Sequence, residues 1–311
     1  MNELRVVFMG TPDFAVPILE ALIENTNVVG VVSQPDRRVG RKQELVHTPL
    51  YEVALKISIQ VFQPSKIRVE YEDILKLNPD LIITCAYGQI IPKEILDYPR
   101  LGCINVHASL LPKLRGGAPI HKAIIEGYSK TGITIMYMDE KMDSGDIISQ
   151  EETTILDSDN LDSLYDRLSL MGQSLLIKTL PSIIEGTNCR IKQDDNEVTY
   201  AYNVSREEER IDFNRESRCV FNQIRGLSPI PGAYAVLDGK SFKIYSAYID
   251  DVFSNGNPGQ IFKVDKKGIY VYTKDSAVVI TELKPFGKKK MDAVSYLNGI
   301  NKVSLIGKVF E

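Results

Sequence analysis

Leu81-Ile82-Ile83-Thr84 is a run with almost no polar alternation. A strand with one wet face alternates apolar and polar side chains, so this run predicts a strand covered on both faces, as in a parallel sheet. Before it, Leu4-Arg5-Val6-Val7-Phe8 predicts a strand that ends at Gly10-Thr11-Pro12-Asp13. Ile18, Leu19, Leu22 and Ile23 follow at helical spacing. Val28 to Val32 and Val61-Phe62 predict further strands, Pro49 starts a helix, and Ile74 and Leu77 lie on another. After it come Cys103-Ile104-Asn105-Val106-His107 and Thr134 to Met138, then a long helix from Leu161 to Ile184. The β-α-β-α rhythm predicts an α/β fold: a doubly wound, mostly parallel, Rossmann-like sheet with right-handed crossovers.

The chain has 311 residues, 43% hydrophobic and 25% charged, which fits two globular domains and excludes disorder. The expected division is 1–189, a polar linker over 190–207, and 208–311. The last part holds five β-like runs: Tyr234–Leu237, Phe242–Ile249, Gln260–Val264, Ile269–Thr273 and Ala277–Leu283. Asp238-Gly239 between the first two is a hairpin signal. A short helix near Glu216–Ile224 precedes them, and together they predict a small OB-like β-barrel. Residues 208–311 carry 16 Lys/Arg against 12 Asp/Glu, +4 on a chain of net charge −4. This hints at a polyanionic partner for that part; chance is the competing explanation. No apolar run reaches about 18 residues, so no membrane-spanning helix is expected. The N-terminus lacks the pattern of a secretory signal. Four scattered cysteines fit a reducing cytosol rather than a disulfide framework, and a cytoplasmic location is expected.

The sequence has no P-loop, no Gly-x-Gly-x-x-Gly after the first strand, no Gly-x-Ser-x-Gly elbow and no histidine pair at metal-ligand spacing. NTPase, nicotinamide, serine-hydrolase and zinc readings lose their main support. What remains is Asn105-Val106-His107, whose outer members share one face of a strand. In an open α/β sheet, ligands bind beyond the carboxyl ends of strands. Taken alone, the pair reads first as Asn105 capping the strand and His107 packing with one hydrogen bond.

Its surroundings are more specific. Asn105-Val106-His107-Ala108-Ser109-Leu110-Leu111-Pro112, then Arg115-Gly116-Gly117-Ala118-Pro119-Ile120, then Met142-Asp143-Ser144-Gly145-Asp146 resemble the folate-dependent formyltransferase superfamily. Phe8-Met9-Gly10-Thr11-Pro12-Asp13-Phe14, Gln34-Pro35-Asp36-Arg37 and the C-terminal β module extend the likeness over essentially the whole chain. It implies a cytosolic enzyme of translation initiation. Such an enzyme moves the formyl group of 10-formyltetrahydrofolate to the α-amine of methionyl initiator tRNA, without a metal. The amide of Asn105 can donate to the oxyanion. His107 can donate to it or move protons, and Asp143 can pair with His107. Spacing does not choose among Asp139, Glu140, Asp143 and Asp146; the family pattern selects Asp143.

The resemblance also implies a folate loop at Ser109, Leu110, Leu111 and Pro112, with Tyr87, Gly88, Gln89 and Ile90 lining the same pocket. Core packing is the competing reading of Tyr87 and Ile90. His121 is read as structural, and Arg225-Gly226-Leu227-Ser228-Pro229 as shaping the barrel entrance. The basic run Arg37-Arg38-Val39-Gly40-Arg41-Lys42 is implied to reach the tRNA acceptor end, with Arg41 foremost. Lys288, Lys289 and Lys290 form a second basic patch toward the tRNA, and a monomer is expected. Three other readings stay open. One is a formyltransferase for amino sugar nucleotides, and another is one for glycinamide ribonucleotide, whose chains match only the first domain. The third is a nucleic-acid-binding protein with a decayed catalytic domain.

Overall fold

A computed structural model describes residues 1, 3–40, 42–251 and 256–311. The strands of the first half are β1 (Arg5–Gly10), β2 (Asn27–Val32), β3 (Arg37–Val39), β4 (Glu44–Val46), β5 (Val61–Phe62), β6 (Leu81–Cys85), β7 (Cys103–His107), β8 (Lys130–Tyr137) and β9 (Ile147–Thr154). Seven of them form one sheet in the order β5-β2-β1-β6-β7-β8-β9. The run from β5 to β7 is parallel throughout; β8 turns antiparallel to β7. Every residue of β6 is buried, as its unbroken apolar run requires. Strand order reverses between β1 and β6, so the crevice outside their carboxyl ends is the topological switch point. Residues after β1, β2, β6 and β7 therefore gather on one edge.

Helices α1 (Val16–Asn25), α2 (Pro49–Lys56), α3 (Glu72–Leu75), α4 (Lys93–Leu96), α5 (Pro119–Ile125) and α6 (Leu161–Glu185) complete this half. The α2 start follows from local chemistry. Thr48 Oγ1 accepts the Tyr51 amide at 3.2 Å, and Pro49 occupies the first turn. The helix expected at Ile74 and Leu77 is only the single turn of α3, ending before Leu77.

The remaining elements are α7 (Ser217–Gly226), strands β10 (Ala233–Leu237), β11 (Lys240–Asp250), β12 (Ile261–Asp265), β13 (Gly268–Tyr272), β14 (Ala277–Lys284) and β15 (Met291–Asp292), and α8 (Ala293–Asn298). The sheet runs β10-β11-β14-β13-β12, with β15 on β14, and its pairs are antiparallel. Its two edges are joined by the last residues of the chain. Val236 and Glu311 exchange both backbone hydrogen bonds at 2.9 and 2.8 Å, and Ile261 N donates to Lys308 O at 2.8 Å. Pairing both edges abolishes them, which protects the sheet from further strand addition. Neither this strip nor β9 and β15 is visible in the periodicity of the sequence.

The chain divides into two compact units. The first comprises Met1–Pro119, Thr131–Thr153 and Tyr165–Tyr202; the second comprises Ile120–Lys130, Thr154–Leu164 and Asn203–Glu311. Residues 191–202, expected in a linker, are bonded into the first unit. Ile191 bridges Ile147, and Arg115 N donates to Thr199 O at 2.9 Å.

Phe310, 4% exposed, anchors the closing strip by packing on Phe213 and Phe242 at 5.9 Å each. Phe310→Ala is expected to cost about 3–5 kcal/mol. Chemical denaturation would measure this, and hydrogen exchange should quicken at the outer amides of β10 and β12.

Candidate functional site

The site grows from the end of β7. Asn105 and His107 lie two residues apart on it and project from the same face. Thr84 is the register partner of Asn105 on β6, and its hydroxyl donates to Asn105 Oδ1 at 2.8 Å. That bond orients the amide; among the described residues Nδ2 keeps its donors unpaired.

His107 is 5% exposed. Its Nε2 lies 3.0 Å from the carbonyl oxygen of Leu114. A carbonyl only accepts, so Nε2 carries the proton. Nδ1 is then the atom left to gain or lose one, and it faces Asp143 Oδ2 at 3.7 Å. The same Oδ2 accepts the Gly116 amide at 2.8 Å. His107 and Asp143 are therefore brought together, with Asn105 two residues along the same strand face, and the Gly116 amide enters the same arrangement.

Two glycines make that arrangement possible. Gly116 adopts φ +122°, and a Cβ there would meet the Ala201 carbonyl oxygen at 2.7 Å. A Cβ at Gly145 would overlap the Tyr137 carbonyl oxygen. The competing acids are engaged elsewhere. Asp139 takes the Ser144 hydroxyl at 2.6 Å, Glu140 pairs with Lys93 at 3.3 Å, and Asp146 pairs with Arg190 at 3.0 Å.

The predicted folate residues split into two groups. Ser109 is fully buried and its hydroxyl donates to Lys113 O at 2.6 Å, so it shapes the loop from within. Leu111 is buried against Met136 and Ile147, and Tyr87 sits in a core with Val7, Met9 and Ile82. Gln89 Oε1 takes the Ile67 amide at 2.9 Å. Leu110 and Pro112 are half-buried, while Gly88 and Ile90 are exposed. A cavity of about 420 Å³ lies against Phe62, Gln63, Val69 and Glu70, and none of the predicted site residues lines it.

The basic run begins on β3, which pairs with β4, Arg37 opposite Val46 and Arg38 opposite Leu45. Arg37, Arg38 and Lys42 are exposed; Arg41 lies outside the described residues. At the hairpin base His47 Nδ1 meets Asp36 at 2.6 Å, and Gln63 donates to the other carboxylate oxygen at 2.8 Å. In the second unit Lys288, Lys289 and Lys290 are exposed. Lys290 pairs with Glu282 at 2.9 Å. Arg225 is buried, donating to the carbonyls of Leu156 and Asp159 at 2.7 and 2.9 Å, so it holds its own unit together. Burial also lowers the pKa of His121.

The residue that sequence reasoning missed is Gln193. Its Nε2 donates to the carbonyls of Asp143 and Gly145, both at 2.8 Å, and its Oε1 accepts Arg115 Nε and a terminal guanidinium nitrogen at 3.0 and 2.8 Å. Nothing local in the polar stretch around it signals these bonds.

A doubly wound sheet with polar residues at its carboxyl edge and a second, antiparallel unit make up the architecture of a formyl transferase. The chain belongs to that family: residues 4–180 match formyl transferase, and residues 203–301 match its C-terminal domain. It is 52% identical over 299 residues to methionyl-tRNA formyltransferase of Bacillus licheniformis, covering 95% of each chain. It is 50% identical over 307 residues to that of Staphylococcus aureus, covering 98% of each. Its fold is also that of HypX from Aquifex aeolicus in complex with tetrahydrofolic acid. There the TM-score is 0.65 at 18% identity, over 95% of this chain and 47% of that one.

Thr84→Val keeps the shape of the side chain and removes the donor. We expect a loss of about 1 kcal/mol. The Asn105 side-chain amide should also shift and exchange faster in an ¹⁵N spectrum; an unmoved amide would contradict its orientation by Thr84.

Proposed function

We propose that this chain transfers the formyl group of 10-formyltetrahydrofolate to the α-amine of methionyl initiator tRNA, in the cytoplasm and as a monomer. The relatives' shared name supports the substrates. The observation that carries the chemistry is the approach of His107 Nδ1 and Asp143 Oδ2, with Asn105 two residues away on the same strand face.

In formyl transfer the amine nitrogen bonds to the formyl carbon, and the carbonyl oxygen becomes an oxyanion. The bond to N10 then breaks. One proton leaves the amine, and one arrives on N10. The work falls to three side chains. Asn105 Nδ2 donates to the oxyanion. His107 carries the proton on Nδ1, because Nε2 is committed to Leu114. Asp143 steadies the imidazolium while it lasts. Pre-formed donors in a site sheltered from water stabilise developing charge more than solvent does.

The half-buried Leu110 and Pro112, with exposed Gly88 and Ile90, are the open apolar surface for a pterin. Ser109, Leu111, Tyr87 and Gln89 support it from beneath. Arg37, Arg38, Arg41 and Lys42 contact the acceptor end of the tRNA, and Lys288, Lys289 and Lys290 contact its phosphates. The working division is a catalytic part built on the first unit, which includes residues 191–202, and a tRNA-binding part built on the second.

Asn105→Ala is expected to lower kcat by about 10²–10³. Asp143→Ala should likewise cut turnover, and both should leave tRNA affinity nearly unchanged. Wild-type turnover in either variant removes that residue from the reaction.

For the lysines, the slope of log K against log salt for tRNA binding is the measure. It should become shallower by about 0.9 for each phosphate that is no longer neutralised. Lys288→Ala and Lys289→Ala should each show this. Lys290→Ala should show less, because Glu282 already neutralises that charge.

A further inference from the structure

We infer that Gln193 is the positioning residue of the reaction: through both of its amide atoms it sets the Asp143 carboxylate in register with His107. The inference rests on the formyl-transfer reading and adds a residue to it.

Asp143 sits at φ 51°, in the left-handed region. A residue other than glycine stays there only when its surroundings hold it. The turn that carries it, Met142 to Asp146, has no regular structure. Gln193 spans this turn from outside. One NH₂ group donates to the carbonyls on either side of Ser144, those of Asp143 and Gly145, at 2.8 Å each. The amide is itself fixed, since Oε1 accepts two bonds from Arg115. Arg115 is 5% exposed and cannot swing away. The next residue, Gly116, donates its amide to Asp143 Oδ2 at 2.8 Å.

The bonds close a ring: Gln193 to the Asp143 backbone, Asp143 side chain to Gly116, Gly116 through the chain to Arg115, and Arg115 back to Gln193. Backbone and carboxylate of Asp143 are thus held from one origin. The carboxylate meets His107 Nδ1 at 3.7 Å, slightly beyond hydrogen-bond length, so a small displacement of the turn decides whether the pair engages. A 1 Å misplacement in a catalytic constellation can cost about 10²-fold in rate.

A glutamine is needed because it both donates and accepts. Glutamate has the same length and keeps the acceptor toward Arg115. It has no donor for the two carbonyls and turns a carboxylate oxygen toward them.

The test uses the full-length protein with Gln193→Ala and Gln193→Glu, each made in the wild type and in Asp143→Ala. Both substitutions in the wild type should lower kcat about 10- to 100-fold. KM for formyl donor and for charged tRNA should stay within about threefold. Exchange of the Gly116 amide, followed by NMR, should quicken in Gln193→Glu, which retains its anchor on Arg115. In the Asp143→Ala background neither substitution should cost anything further, because a residue acting through Asp143 has nothing left to position. Turnover within about twofold of wild type overturns the inference. So does an undiminished loss in the Asp143→Ala background, or an unchanged Gly116 amide in Gln193→Glu. If the wild-type protein fails to formylate charged initiator tRNA, the functional reading falls instead; the Gly116 exchange still tests the ring.

Discussion

A buried imidazole with one nitrogen already spent is the constraint around which the first unit is arranged. His107 is nearly out of contact with water, and burying an unpaired polar group costs about 1–3 kcal/mol. The Leu114 carbonyl satisfies Nε2 and in doing so fixes where the proton sits. Nδ1 is left pointing at a carboxylate. Leu114 must therefore be held, and its amide donates to Thr199 Oγ1 at 2.9 Å. The carboxylate must be held too, which the Gly116 amide does. The strip after residue 190 backs both, through Thr199 at Leu114 and through Gln193 at the Asp143 backbone, so it supports the arrangement although it adds no group to it.

The legible and illegible parts of the chain differ in range. The strand face shared by Asn105 and His107 follows from a period of two, and β6 from an unbroken apolar run; both are local signals. The parallel order and the switch point follow from alternation of strands and helices. Asp143 is separable from Asp139, Glu140 and Asp146 in the sequence only through the family pattern. The structure gives the physical difference: those three are engaged by Ser144, Lys93 and Arg190. Gln193, Thr199 and the C-terminal strip are invisible in the sequence because each acts through a few hydrogen bonds to partners far away in the chain. An isolated bridge has no periodicity to read. The hairpin of β3 and β4 reads only as charge, since three-residue strands give no countable alternation.

The two basic patches are built differently. The β3–β4 hairpin carries exposed Val39, Leu45 and Val46 beside its arginines. Its described charges stand on a ribbon held at the base by His47, Asp36 and Gln63. Such a ribbon suits a partner whose shape must be followed. Lys288 to Lys290 occupy the turn between β14 and β15, on a sheet whose edges the last residues seal. Sealing matters for a basic sheet, because an open edge would invite strand pairing in competition with a polyanion.

The backbone at Asp143 joins these threads. A left-handed conformation costs an aspartate on the order of 1 kcal/mol or more, and the fold sustains it with bonds that reach across 27 and 50 residues of sequence. Gly145 presses against the Tyr137 carbonyl, which removes the slack that a looser turn would allow. The strain is therefore met during folding, before any substrate arrives. A carboxylate held within a small displacement of an imidazole has little left to reorganise as charge develops, and limiting that reorganisation is the advantage a folded site has over water.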